Sequence, residues 1–231
     1  MSSKRKTIVV SAVSLRKGGT LTILQDCLCY LSALAADGNY RVIALVHKRE
    51  LADYPHIEYI EMPDVIKGWG RRLWCEYVTM YKLSQKIMPV YLWLSLHDAT
   101  PRVVAERRVV YCQTSFPFYK WSWRDFLFDY KIVLFALFTR WIYRINVHRN
   151  TYLIVQQEWL RSGLSRMLGV KKEKFIVAPP ERKENDVIAE IVELSCFTFF
   201  YAATPDCHKN FELLCVGTRA WKRKVQSGLD Y

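Results

Sequence analysis

The sequence predicts an α/β protein built on a doubly wound parallel sheet of Rossmann-like kind. Three observations lead there. Short β-branched runs alternate with helix-periodic stretches along most of the 231 residues. The first run, Thr7-Ile8-Val9-Val10-Ser11-Ala12-Val13, is apolar on both faces, as strands covered on both sides are. Helix stops and prolines fall between the runs, with Asp37-Gly38-Asn39 and Met62-Pro63 as examples. A composition of 51% hydrophobic and 24% charged residues excludes a disordered chain, and 9 Gly with 8 Pro exclude a collagen-like or linker composition.

The elements follow in order. The first strand ends in Arg16-Lys17-Gly18-Gly19-Thr20, and a helix from about Thr20 to Ala36 carries Leu21, Leu24, Leu28, Leu31 and Leu34 or Ala35 at helical spacing. Tyr40–Val46 is the second strand and His56–Glu61 the third. A helix over 69–87 puts Leu73, Tyr77, Met80, Tyr81, Ser84 and Ile87 on one face. Tyr91–Leu96 and Val109–Cys112 are the fourth and fifth strands. A long aromatic helix spans roughly Trp123 to Arg149, with Ile132–Phe138 apolar all round, which reads as deeply buried or inserted in lipid. Strand Thr151–Val155, helix Glu158–Leu168 and strand Lys174–Ala178 complete a first domain over residues 1–180. A mostly charged linker over 181–195 follows. Residues 196–231 then supply one strand, from Phe197 to Tyr201, and the start of a helix from Phe211. One strand and one helix cannot bury a core, so this segment either docks on the first domain or opens a truncated second one, the reading preferred here.

A net charge of +12 points to a partner bearing negative charge: nucleic acid, anionic lipid or a phosphorylated small molecule. Seven cysteines without any Cys-x-x-Cys pair give neither zinc spacing nor an even disulfide framework. Reduced buried thiols in a cytoplasmic protein are the expected state, and no metal is expected. The longest apolar run is seven residues, about 10 Å of helix against roughly 30 Å of hydrocarbon, so no segment is expected to span a membrane.

Four places are candidates for chemistry. Gly18-Gly19 lets the backbone approach a ligand where a helix N-terminus, Arg16 and Lys17 meet an anion, or else serves only tight packing. His97-Asp98 and Gln113-Thr114-Ser115 end the fourth and fifth strands, where open parallel sheets bind ligands. A His beside an Asp can act as a base with its orienting carboxylate, or His97 can simply bond a loop. Lys209, in Cys207-His208-Lys209-Asn210, stands before a helix and can neutralise a diphosphate. Finally, Trp69, Arg71, Arg72 and Trp74 on one helix, and Trp121 and Trp123 after the fifth strand, mix indoles with cations as a membrane interface does. Single-stranded nucleic acid uses the same residue types. No nucleic-acid-binding motif accompanies them, so nucleic acid is not expected as a partner.

In order and spacing, the Gly18-Gly19 turn, the strand ends at His97-Asp98 and Val110-Tyr111-Cys112-Gln113-Thr114-Ser115, Gln156-Gln157-Glu158-Trp159-Leu160, Val177-Ala178-Pro179-Pro180, and Phe199-Phe200-Tyr201 with His208-Lys209-Asn210 resemble the GT-B glycosyltransferases of family 4. The resemblance covers nearly the whole chain and implies an acceptor-binding domain followed by the start of a nucleotide-sugar-binding one. It implies transfer of a sugar from a nucleotide-diphosphate donor to a lipid-linked or polysaccharide acceptor at the cytoplasmic membrane face, with no metal or other cofactor. It also implies that Gly18, Gly19 and Lys209 lie against the donor phosphates. The family often has a His where Gln113 stands, and Gln can bond a hydroxyl but cannot act as a base. The family's Glu-x7-Glu motif would lie beyond Tyr231, as no Glu follows Glu212. The alternative expectation is a non-catalytic, basic membrane-surface or scaffold protein.

Overall fold

Seven parallel strands form one sheet in the order β3-β2-β1-β4-β5-β6-β7 in the computed structural model, which describes residues 5–120, 123–180 and 211–226. The strands are β1 (Lys6–Ser11), β2 (Tyr40–Val46), β3 (Ile57–Glu61), β4 (Leu92–Ser95), β5 (Arg107–Cys112), β6 (Tyr152–Val155) and β7 (Phe175–Val177). Helices α1 (Gly18–Ala36), α2 (Trp69–Trp74), α3 (Met80–Ile87), α4 (Trp123–Arg144) and α5 (Glu158–Leu168) lie between them, and α6 (Phe211–Gln226) follows. The chain forms two units, residues 1–118 with 137–181 and residues 119–136 with 182–231. The sheet lies in the first. The predicted linker, the strand at Phe197–Tyr201, Trp121 and Lys209 lie outside the described residues.

The alternation of β1 explains its unbroken apolar run. Ile8 and Val10 join Val42, Ala44 and the α1 residues Leu24, Leu28, Leu31 and Ala35 in one core cluster. Val9 joins Ile43, Leu45, Trp93, Cys75 and Met80 in another. Period-2 geometry sends neighbours to opposite faces, and both faces are dry. Burying a Leu of this kind stabilises the fold by about 1.5–3 kcal/mol. Among the described residues α1 is a helix long and apolar enough, by length and composition, to cross a membrane. Here its inner stripe packs on the sheet as the crossover between two parallel strands. On α5, Leu160, Leu164 and Leu168 repeat at i, i+4 and i+8 and are buried with β5 and β6. Gly169 ends that helix at φ 66°, a left-handed position that a side chain would strain.

Three boundaries depart from the sequence expectation. Helix α1 begins at Gly18, so both glycines belong to its first turn and do not precede it. The stretch 69–87 is not one uniform helix: a π-helical turn, Cys75–Thr79, separates α2 from α3. An i→i+5 turn holds one residue more than an α turn and rotates the upstream segment relative to the downstream one. Cys75 and Glu76 therefore face inward with Met80 and Ser84, while Leu73, predicted on the buried face, is exposed. In α4, Leu134, Leu137 and Phe138 are exposed, so of the two expectations for Ile132–Phe138 the run is not buried all round in the protein.

Candidate functional site

Strand order reverses between β1 and β4: β2 and β3 extend the sheet to one side of β1, and β5 to β7 extend it beyond β4. In open α/β sheets the crevice at this switch point, outside the carboxyl ends of the strands, is where ligands bind. Ser11 is the last residue of β1, and His97 and Asp98 follow β4. The Leu96 N–H donates to the Ser11 carbonyl at 2.9 Å, which keeps the two strand ends together past the last ladder pair, Ser11 with Ser95.

His97 faces the helix side of this crevice. Its Nε2 lies 2.9 Å from Glu76 Oε1 and 3.2 Å from Ser11 Oγ, and the Ser11 hydroxyl points on to Met80 Sδ at 3.4 Å. Both ionisable groups are buried, at 3% relative exposure each. Burial pushes the Glu76 carboxyl up to about 8 and the His97 imidazole down to about 3, and the Arg72 guanidinium lowers both. At neutral pH the proton therefore sits on Glu76, whose hydroxyl donates to His97 Nε2. Glu76 Oε2 and His97 Nδ1 are buried without a partner among the described residues. A sealed imidazole held so far below neutrality holds a helix and two strand ends together and takes up no proton near pH 7.

Asp98 turns the other way. Its backbone is left-handed at φ 38°, and its carboxyl faces the end of β5. Oδ1 accepts from Gln113 N–H at 2.6 Å, Thr114 N–H at 3.2 Å and the Tyr143 hydroxyl at 2.6 Å. Burial raises the Asp98 pKa, while these donors and Arg72 lower it. Tyr143 is pushed well above the ordinary phenol range, first by burial, so it stays a donor. The adjacent His97 and Asp98 thus have separate partners and do not bond each other. Gln113 donates its side-chain amide to the Leu96 carbonyl and its backbone N–H to Asp98. Beyond it Gln156 donates to the Tyr111 hydroxyl at 3.0 Å, linking the ends of β5 and β6.

The α1 N-terminus opens at the end of β1. Gly18 has φ 60°, which favours glycine there, and nothing lies within 4 Å of a Cβ built on Gly18 or Gly19. The space in front of this turn is open. Lys17, at the cap position, contributes no side-chain cap, and Thr20 Oγ1 donates to the Lys17 carbonyl at 2.9 Å. Among the described residues no group of three metal-ligating side chains comes together. The described cysteines are free thiols, and burial raises Cys75 to about 12 and Cys112 well above the usual range. Neither is a nucleophile at neutral pH.

Of the residues singled out in the sequence, His97, Asp98 and Gln113 cluster at β4 and β5, and Gly18 and Gly19 stand at the end of β1. Trp69, Arg71, Trp74 and Trp123 are exposed. Arg72, grouped with them in the sequence, is half-buried, and its charge reaches Glu76, His97 and Asp98. Sequence reasoning missed Ser11, Glu76 and Tyr143. Glu76 left one signal, an acid flanked by apolar residues in a helix, but a 3.6-residue period puts it off the buried face. No protein-family model matches the chain, and no curated protein matches it.

Proposed function

We propose that this chain carries the acceptor-side Rossmann-like domain of a GT-B glycosyltransferase, with residues 196–231 opening its nucleotide-sugar-binding domain. In this reading it transfers a sugar from a nucleotide-diphosphate donor to a lipid-linked or polysaccharide acceptor. The observation that carries the reading is the β1/β4 switch point, with Asp98 and Gln113 at one side and the N-terminus of α1 after β1 on the other. A nucleotide-diphosphate leaving group gains negative charge as the glycosidic bond breaks. Preorganised cations and N–H groups stabilise that charge where it develops. The first turn of α1, with Arg16 and Lys17 just before it, supplies them. Asp98, whose three donors among the described residues are all on Oδ1, is assigned through Oδ2 to accept a sugar hydroxyl. His97 and Glu76 act behind these groups by fixing where β1 and β4 end.

The test uses the protein as its native cells make it. Incubation with a panel of nucleotide-diphosphate sugars and a lipid extract should release nucleoside diphosphate in an acceptor-dependent way. Asp98→Asn, which leaves Oδ1 in place, should lower turnover by about 10- to 100-fold through loss of a charged hydrogen bond to the sugar. Folded protein that releases no nucleoside diphosphate from any donor overturns the reading and favours a non-catalytic surface protein.

A further inference from the structure

Parallel strands all start at one edge of the sheet, so the residues that lead into them form a row. Here the row is basic and exposed. Arg41 stands near the start of β2, Lys6 opens β1, Arg107 opens β5, Arg149 precedes β6 and Lys172 precedes β7. Their partners set these cations apart from those at the carboxyl edge. There Lys48, Arg49, Lys67 and Arg161 each hold a carboxylate at 2.5 to 2.9 Å. At the amino edge Lys6, Arg107, Arg149 and Lys172 hold none among the described residues, although Glu106 and Glu173 stand beside them in sequence. Lys6 and Arg107 lie over the Tyr91 ring instead, at 4.7 and 5.2 Å, which fixes one cation on either side of β4. Arg108 Nε is buried without a partner among the described residues. Arg41 shows how this edge takes a carboxylate: its guanidinium forks both oxygens of Glu58 at 2.8 and 2.7 Å. Next to that fork a hollow of about 200 Å3 opens between Arg5, Tyr40, Arg41 and His56.

Shape decides which anion fits the row. Neighbouring strands lie about 4.8 Å apart, so the row from β2 to β7 is about 24 Å long. Each strand is turned by about 20–25° from the next, so the strand ends wind through roughly 100° along it. A flat bilayer or a straight, stiff duplex meets only part of such a row. A flexible chain follows all of it, and about seven or eight residues of extended peptide span it. Single-stranded nucleic acid is flexible as well, but it stacks its bases on aromatic rings, and Tyr91 already carries two cations.

We propose that the amino edge of the sheet is a docking surface for an extended acidic segment of a partner protein, whose carboxylates meet Lys6, Arg107, Arg149 and Lys172. Recognition of acidic motifs by cation clusters is a recurring mode of peptide binding, and complementary charge speeds the encounter. The proposal stands apart from the sugar-transfer reading, because this edge is opposite the switch point and needs no sugar donor.

The experiment is fluorescence anisotropy of the full chain with a labelled peptide of about ten glutamates, long enough to span the row. A glutamine peptide and an oligothymidylate of equal length serve as comparisons. The glutamate peptide is expected to bind and to weaken with salt, and the glutamine peptide is expected not to bind. Arg107→Gln combined with Lys172→Gln should weaken binding about fivefold or more. Lys48→Gln combined with Lys67→Gln removes the same charge from the carboxyl edge and should change it by less than about twofold. Lys172→Glu alone, at an exposed position, should weaken it about threefold or more and keeps the test decisive if the first double variant fails to fold. No binding of the glutamate peptide overturns the proposal, as does equal weakening in the two double variants, which is a response to net charge alone. Tighter binding of the oligothymidylate assigns the row to nucleic acid and also overturns it.

Discussion

At the amino edge of the sheet, Arg41 holds Glu58 through two bonds of 2.8 and 2.7 Å in solvent, and Lys6 and Arg107 lie over the Tyr91 ring at 4.7 and 5.2 Å. At the carboxyl edge, Glu76 and His97 are buried, share one hydrogen bond and leave an oxygen and a nitrogen without a partner among the described residues. Those amino-edge groups are charged, exposed and mutually satisfied. The Glu76–His97 pair at the opposite edge is uncharged at neutrality, buried and incompletely satisfied. A fold gains little stability from the second arrangement, since unpartnered buried atoms cost free energy that an apolar core would avoid. Arg72 reaches Glu76, His97 and Asp98 alike, so the polar groups at the ends of β1 and β4 share one electrostatic environment.

The contrast can be broken most forcefully at His97. His97→Ala leaves Glu76 buried without its partner and opens a cavity, so a loss of about 3–5 kcal/mol is expected in denaturant unfolding. A loss under about 1 kcal/mol would mean that the pair is not buried as described.

The next effect is a pH window. Glu76 has a folded pKa of about 8 against an unfolded value near 4.5, and His97 about 3 against 6.5. From pH 4.5 to 6.5 the folded protein holds one proton more at Glu76 and one fewer at His97, so their slopes cancel. Above pH 6.5 only Glu76 differs: the unfolded state binds fewer protons and stability falls as pH rises to 8, by about 2 kcal/mol. Below pH 4.5 only His97 differs, and stability falls as pH drops toward 3. Glu76→Gln should flatten the upper slope in a series of thermal melts, and an unchanged slope would assign it to other groups.

The smallest effect sharpens the comparison from its other side. Arg41→Ala removes an exposed pair whose side chains are 44% and 55% accessible, so the expected cost is under about 0.5 kcal/mol and vanishes in high salt.

The sheet was legible in the sequence because strands buried on both faces write themselves as unbroken β-branched runs: Tyr40–Val46 is β2, and Thr7–Val13 differs from β1 only at its ends. The helix expected over Glu158–Leu168 has the bounds of α5. The crevice was legible only in outline. His97, Asp98 and Gln113 could be picked out from their place at strand ends, but neighbours in sequence suggested a pair, and the left-handed backbone at Asp98 separates them. Glu76 was hidden by the π turn, since a uniform helical period assigns residues 73 and 77 to the face that 75 and 76 occupy. Tyr143 reaches Asp98 across 45 positions of sequence, and no local pattern announces such a contact.

Binding of a phosphate-bearing ligand at the end of β1 is decided at Gly19. A Cβ there meets nothing within 4 Å, and an acid in the first turn of a helix favours the helix dipole. Gly19→Asp should therefore keep or slightly raise the melting temperature. The same charge repels a diphosphate, so calorimetric titration with a nucleoside diphosphate should show affinity reduced about tenfold or more. A variant that melts like the parent and binds the nucleoside diphosphate equally well, or a parent that does not bind it, contradicts the account.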